Sequence, residues 1–202
     1  MISIYQLKPK FQQLLNPILL FLHKHKITAN QITIASIVLS LVIGLLFWNA
    51  TASKWLFLSL PIGLLLRMAL NALDGMMARK FNQMSTLGEV LNEVGDIISD
   101  VIIFFPLLKF QPESLYLVVV FILFSVINEF AGLLGKAIGK SRRYDGPMGK
   151  SDRALLLGIY GLLLFFGVSI SSYSHYIIGI VLLLLVISTY TRLKKALNEA
   201  GN

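Results

Sequence analysis

The residues able to do chemistry lie close together in an otherwise apolar chain, in the stretch RMALNALDGMMARKFNQMSTLGEVLNEVGDIISD at 67–100. At 100° per residue, Arg67, Asn71, Asp74, Gly75 and Ala78 share one stripe of a helix. On the next helix Ser85, Gly88, Glu89, Asn92, Glu93, Asp96, Ser99 and Asp100 occupy an arc of about 140°, with Val90, Leu91, Val94, Ile97, Ile98 and Val101 opposite. A connection as short as 80–84 makes the two helices antiparallel neighbours, so their polar stripes face each other as a carboxylate-lined cavity. Such a cavity suits a hard divalent cation, because Mg²⁺ takes one or two carboxylates together with substrate phosphate oxygens and water. The chemistry these residues point to is metal-assisted transfer of a phosphoryl-type group. The competing reading is a buried ion-pair network in which Arg67 neutralises Asp74. One arginine cannot neutralise the five carboxylates Asp74, Glu89, Glu93, Asp96 and Asp100, which weakens that reading for the set as a whole.

The elements that must position these residues are membrane helices. The chain is 56% hydrophobic and 14% charged, with a mean hydropathy of +0.76, against about 45–50% apolar and about 25% charged in ordinary soluble domains. No Asp, Glu, Lys or Arg occurs in 31–53, 55–66, 114–128 or 154–191, and an apolar run of roughly 17–25 residues is what a helix needs to cross a bilayer. The expected fold is all-α: six transmembrane helices at about 31–49, 55–79, 85–108, 113–135, 153–170 and 173–192, preceded by an amphipathic surface helix. In that first helix Ile4, Leu7, Phe11, Leu14, Ile18 and Leu22 recur at three- and four-residue spacing. The division expected is therefore 1–26 as a juxtamembrane helix and 27–202 as one membrane domain. The N-terminus lacks the pattern of a cleaved signal peptide, and the absence of cysteine excludes disulfides and thiolate metal sites.

Six spans leave both termini on one side. Lys8, Lys10, Lys24, Lys26, Arg79, Lys80, the basic residues of 136–153, Arg192, Lys194 and Lys195 fall on that side, and only Lys54 and Lys109 on the other. Basic residues of short loops stay in the cytoplasm, so both termini and the polar cavity are expected there. Charges within the spans cost about 2.5–3.5 kcal/mol each on insertion scales and persist where they pair, bind an ion or line a wet cavity.

The string NALDGMMAR at 71–79, eight residues from Lys80 to Leu87, and GEVLNEVGD at 88–96 resemble the signature of the CDP-alcohol phosphotransferases, DxxDGxxAR, about eight residues, GxxxDxxxD. Asp74, Gly75, Ala78, Arg79, Gly88 and Asp96 are identities. Asn71 and Asn92 stand where the family's first and third aspartates belong. The segment ITANQIT at 27–33 is similar to the family's TPNxxT stretch entering the first span. The resemblance implies an enzyme of phospholipid synthesis that moves a substituted phosphate group, phosphatidyl from CDP-diacylglycerol or the corresponding group of another CDP-alcohol, onto an acceptor alcohol with release of CMP. It implies Mg²⁺ or Mn²⁺ held at the positions of Asn71, Asp74, Asn92 and Asp96, and Asp96 as general base. It further implies that Asn71, Asp74, Gly75, Ala78, Arg79 and Gly88 bind the nucleotide. The two asparagines remove two formal negative charges, which favours one tightly held ion over two unless Glu89, Glu93 or Asp100 restores charge. A homodimer in the inner membrane, among membrane lipids and without nucleic acid, completes what the resemblance implies.

Between the fourth and fifth spans, Arg142, Arg143, Lys150 and Arg153 offer a site for a phosphorylated acceptor, since arginine presents a bidentate fork to phosphate. Topology and attraction to anionic lipid headgroups account for the same cluster equally well. Glu129, alone in the fourth span, reads as a structural ion pair or as part of the site. Two further classes compete with the enzyme: a catalytically weak nucleotide-binding paralogue, and a membrane cation transporter. Polar residues gathered toward one face rather than threaded through the bundle disfavour the transporter.

Overall fold

The computed structural model describes residues 8–139 and 141–201. Ile4 and Leu7 of the expected surface helix, and Lys140 of the basic loop, lie outside the described residues. The chain folds into α1 (Lys8–Lys24), α2 (Ala29–Trp48), α3 (Ser59–Lys80), α4 (Thr86–Phe104), the single turn α5 (Leu107–Phe110), α6 (Leu115–Ile138), α7 (Lys150–Phe165) and α8 (Ser174–Ala200). The six stretches expected as spans fall on helices α2, α3, α4, α6, α7 and α8. Four helical segments, Ala29–Trp48, Lys54–Lys80, Pro112–Ile138 and Ser171–Ala200, are long and apolar enough to cross a membrane. Of the other two, α4 carries Glu89, Glu93, Asp96 and Asp100, and α7 has 16 residues. The third expected span is shorter than its apolar run, for α4 ends just before Pro106, which has no N–H to donate to a preceding turn.

Local chemistry sets the helix starts nearest the polar stripe. Thr28 and Gln31, from the ITANQIT segment, form a reciprocal capping box: Gln31 N donates to Thr28 Oγ1 at 3.3 Å and Thr28 N donates to Gln31 Oε1 at 2.9 Å. At the start of α4, Ser85 Oγ accepts from Gly88 N at 3.0 Å. The turn between α3 and α4 places Asn82 at φ +52°, a left-handed conformation that asparagine tolerates. Gln83 Oε1 then accepts from Ala29 N at 2.8 Å and ties this turn to the beginning of α2.

Two apolar cores flank the polar stripes. In one, Leu15 and Leu19 of α1 pack with Ile32 of α2 and with Leu73 and Met77 of α3, while Leu14 and Phe21 of α1 face outward. In the other, Ile43 and Phe47 of α2 meet Leu60 and Leu64 of α3, Ile103 and Phe104 of α4, and Leu157 and Tyr160 of α7. Helix α2 packs against both α3 and α4, α7 lies on α3, and α6 runs along α8. The expectation of α3 and α4 as directly packed neighbours needs this correction: α2 joins their backbones, and they reach each other through long polar side chains. Close approach of α2 to α4 depends on Gly44, where a Cβ would lie 2.8 Å from the backbone oxygen of Ile102. Gly44→Val is expected to push the two helices apart at a cost of about 1–3 kcal/mol, seen as a lower melting temperature of the detergent-solubilised protein.

Candidate active site

The polar stripes of α3 and α4 meet as the sequence anticipates. The carboxamide of Asn71 lies between α2 and α4: Ser36 Oγ donates to Asn71 Oδ1 at 2.6 Å, and Asn71 Nδ2 donates to Asp96 Oδ1 at 3.4 Å. Asp74, one turn along α3, is buried at 6% exposure, and Thr33 Oγ1 of α2 donates to its Oδ2 at 2.9 Å. Asn92 is half-buried one turn before Asp96 on the same face of α4. Gly75 and Ala78 are half-buried on α3, and the exposed Arg79 folds its guanidinium over Gly75, where a Cβ would sit 3.2 Å from Nη1. Gly88 is crowded by α2, with Asn30 Oδ1 only 2.7 Å from where a Cβ would stand.

Arg67 does not neutralise Asp74. Its Nη1 binds Asp100 Oδ1 at 2.8 Å, and its Nη2 lies 3.7 Å from Asp96 Oδ1. Asp96 is also held by the ammonium of Lys150 at the start of α7. Asp74 is thus a buried carboxylate with no salt bridge among the described residues. A charge in that position calls for a cation from outside the chain, since buried charges are paired or coordinate metals. Asp74, Asp96 and the carboxamides of Asn71 and Asn92 supply hard oxygen donors, the chemistry that Mg²⁺ or Mn²⁺ takes with one or two carboxylates. No group of three His, Cys, Asp or Glu able to hold a metal occurs among the described residues, in keeping with the two asparagines.

The carboxylates named as compensating charge are all engaged by cations. Glu89 pairs with Lys136, Glu93 with Arg142 at 2.8 Å, and Asp100 with Arg67 and Arg153, each at 2.8 Å. The four residues assigned to an acceptor phosphate hold carboxylates as well. Arg142 binds Glu93 and Glu129, Arg143 binds Glu199 at 2.9 Å, Lys150 binds Asp96, and Arg153 binds Asp100 and Glu129. In the loop after α6, burial works against the charge of the Arg142 guanidinium. Tyr144, Glu93 and Glu129 outweigh it and hold the group above the ordinary arginine range. Glu129 is therefore an ion-pair centre, reached by Arg142 at 2.8 Å, Arg153 at 2.9 Å and Arg192 of α8 at 3.8 Å.

Three contributors were given no role in the sequence reading. Thr33 closes the ITANQIT segment, and Ser36 follows it at helical spacing on α2. Arg192 counted merely as a basic residue near the end of the last apolar run. Its Nη1 donates to Asn128 O at 2.6 Å and joins α8 to the network.

A membrane-embedded helical bundle with this spaced set of polar residues defines an enzyme class. The chain belongs to the CDP-alcohol phosphatidyltransferase family, whose model matches residues 26–190; it is an enzyme of the kind that transfers substituted phosphate groups. Among curated relatives, the inner membrane protein YnbA of Escherichia coli (strain K12) is 53% identical over 161 residues, which is 79% of each chain. The fold is that of the phosphatidylinositol phosphate synthase PgsA1 of Mycobacterium tuberculosis. The crystal structure with manganese and citrate matches at a TM-score of 0.74 and 22% identity, covering 92% of this chain and 90% of that one. The structure with CDP-DAG bound matches at 0.73 and 22% identity, covering 89% and 92%.

The contrast between Asp100 and Asp74 is testable. Asp100→Ala takes one carboxylate from each of the buried guanidiniums of Arg67 and Arg153 and is expected to destabilise the protein by about 3 kcal/mol. Asp74→Asn removes an unpaired buried charge while keeping an oxygen for Thr33, so thermal stability in chelator is expected to equal or exceed that of the parent, whereas stabilisation by added Mn²⁺ is lost.

Proposed function

We propose that this protein transfers phosphatidyl from CDP-diacylglycerol to an acceptor alcohol and releases CMP, as a step of phospholipid synthesis. The observation that carries the reading is Asn71 bonded to Asp96 across α3 and α4, with Asp74 buried one turn along α3 at the family's signature spacing and without a salt bridge among the described residues. The CDP-DAG bound to the mycobacterial synthase supports this donor, and the manganese in that protein supports a divalent ion.

In the reaction, the acceptor oxygen bonds to the phosphorus on the lipid side of the diphosphate, the bond from that phosphorus to the bridging oxygen breaks, and CMP leaves with that oxygen. Asp96 takes the proton from the acceptor hydroxyl, and its place on the rigid face of α4 holds it toward the diphosphate. Asp74 and Asp96, with the carboxamide oxygens of Asn71 and Asn92, would hold a single Mg²⁺ or Mn²⁺. When bound, that ion polarises the phosphoryl oxygens and neutralises the departing nucleotide. Arg79 grips the diphosphate, and Gly75, Ala78 and Gly88 admit the cytidine close to the helices. Glu89, Glu93 and Asp100 are paired with Lys136, Arg142 and Arg67, and Asp96 with Lys150, so Asp74 is the carboxylate of this set without a salt bridge among the described residues.

The proposed setting is the inner membrane, where the Escherichia coli relative resides. There α2, α3, α4, α6, α7 and α8 span the bilayer, α1 lies on its surface, and both termini and the site face the cytoplasm in a homodimer. The one-sided burial of α1, with Leu15 and Leu19 inward and Leu14 and Phe21 outward, and the one-sided distribution of Lys and Arg support this topology.

Purified protein with CDP-diacylglycerol, Mg²⁺ or Mn²⁺ and a panel of alcohols is expected to release CMP only when both metal and acceptor are present. Binding of the nucleotide lipid without release, across the panel, would make the chain a nucleotide-binding paralogue. Asp96→Asn is expected to lower turnover by at least about a hundredfold while leaving the affinity for CDP-diacylglycerol within a few fold. Asn71→Asp combined with Asn92→Asp is expected to tighten Mn²⁺ binding, read by calorimetry; unchanged affinity would place the ligands elsewhere.

A further inference from the structure

We infer that Glu129 restricts the acceptor to an uncharged alcohol, by filling with its own carboxylate the arginine cluster that a phosphorylated acceptor would need. The inference rests on the transferase reading above and names its acceptor class. Arg142, Arg153 and Arg192 come from the loop after α6, from α7 and from α8, and all three converge on Glu129. Three guanidiniums from three elements around one point are what a phosphate monoester site requires. Here that point is occupied by a residue of the chain.

The guanidiniums are shut away from solvent, although the Nε atoms of Arg142 and Arg153 have no acceptor. The side chain of Arg153 is 0% exposed, that of Arg192 2% and that of Arg142 12%. Arg153 and Arg142 each hold a second carboxylate, Asp100 and Glu93. Against the four guanidiniums of Arg67, Arg142, Arg153 and Arg192 stand three carboxylates, Glu93, Asp100 and Glu129, and Lys150 is matched by Asp96. A single positive charge is in excess, while a phosphate monoester brings about −1.5 to −2. Binding one would mean pulling a buried arginine off a carboxylate and leaving that carboxylate unpaired, which is strongly unfavourable. Among the described neighbouring cations, Arg143 is committed to Glu199 and Lys195 to Asp145. An alcohol with no charge meets none of these costs and needs only to reach Asp96. Glu129 thus acts through the arginines as a positioning residue, not as a group that touches the reacting atoms.

The test pairs a binding measurement with a turnover measurement on the full-length protein in detergent. Inorganic phosphate titrated into the parent protein is expected to give no calorimetric binding. Glu129→Gln, which keeps shape and removes the charge, is expected to gain phosphate affinity by about tenfold or more, the worth of one charge-assisted hydrogen bond. Glu129→Asp, which keeps the charge, is expected to exclude phosphate as the parent does. In turnover, the parent is expected to use glycerol in preference to glycerol phosphate by kcat/KM, and Glu129→Gln to shift that ratio toward glycerol phosphate through KM. Phosphate binding by the parent, or a preference of the parent for glycerol phosphate, overturns the inference. So does a Glu129→Gln protein that melts cooperatively and gains no phosphate affinity. If that variant does not fold, the parent's phosphate titration and acceptor preference decide alone. Absence of CMP release with every acceptor would refute the transferase reading instead, and the phosphate titrations would still judge the arginine cluster.

Discussion

The structure depends on one electrostatic constraint: charges placed among apolar helices must find opposite charges, because water is not there to solvate them. Asp100 answers this by bridging Arg67 of α3 and Arg153 of α7, and Glu129 by gathering Arg142, Arg153 and Arg192. These two carboxylates link α3, α4, α6, α7 and α8 into one network. Helices α3 and α4 reach each other across that network rather than by backbone packing, which leaves room for polar groups between them. A pair of this kind adds little net stability over an apolar substitute. What it adds here is geometry, since a guanidinium shared by two carboxylates holds both of their helices in register.

Within the network, Asp74 is the exception that locates the chemistry. Each carboxylate of α4 has a cation from the chain, whereas Asp74 on α3 has a hydroxyl from Thr33. Among the described residues of the two facing stripes, Asp74 is the carboxylate without a salt bridge. Under the proposed reading, a divalent ion arriving with a diphosphate would complete the pairing and couple metal and substrate binding to the same unpaired charge. The asparagines at positions 71 and 92 keep that demand small, with oxygens to offer but no further charge to neutralise.

The basic loop shows how a composition cue changes meaning once partners are known. Six basic residues in 136–154 are compatible with phosphate recognition, with topology and with lipid headgroups alike. The structure commits Arg142, Arg143, Lys150 and Arg153 to carboxylates on α4, α6 and α8, and so turns a cluster that looked like a surface for anions into an interior brace.

By itself the sequence determined the helical membrane character, the signature residues and the shared faces of α3 and α4, because hydropathy and the 100° helical repeat are local properties that need no partner. Asp74, Asn71 and Asp96 could be placed on converging stripes from spacing alone. Tertiary structure decided which charge meets which. Arg67 chose Asp100 over Asp74, α2 entered between the backbones of α3 and α4 with Thr33 and Ser36, and Glu129 drew arginines from 13, 24 and 63 positions further along the chain. Ion pairing is set by distance in space, and residues so far apart in sequence acquire that distance only when the helices pack.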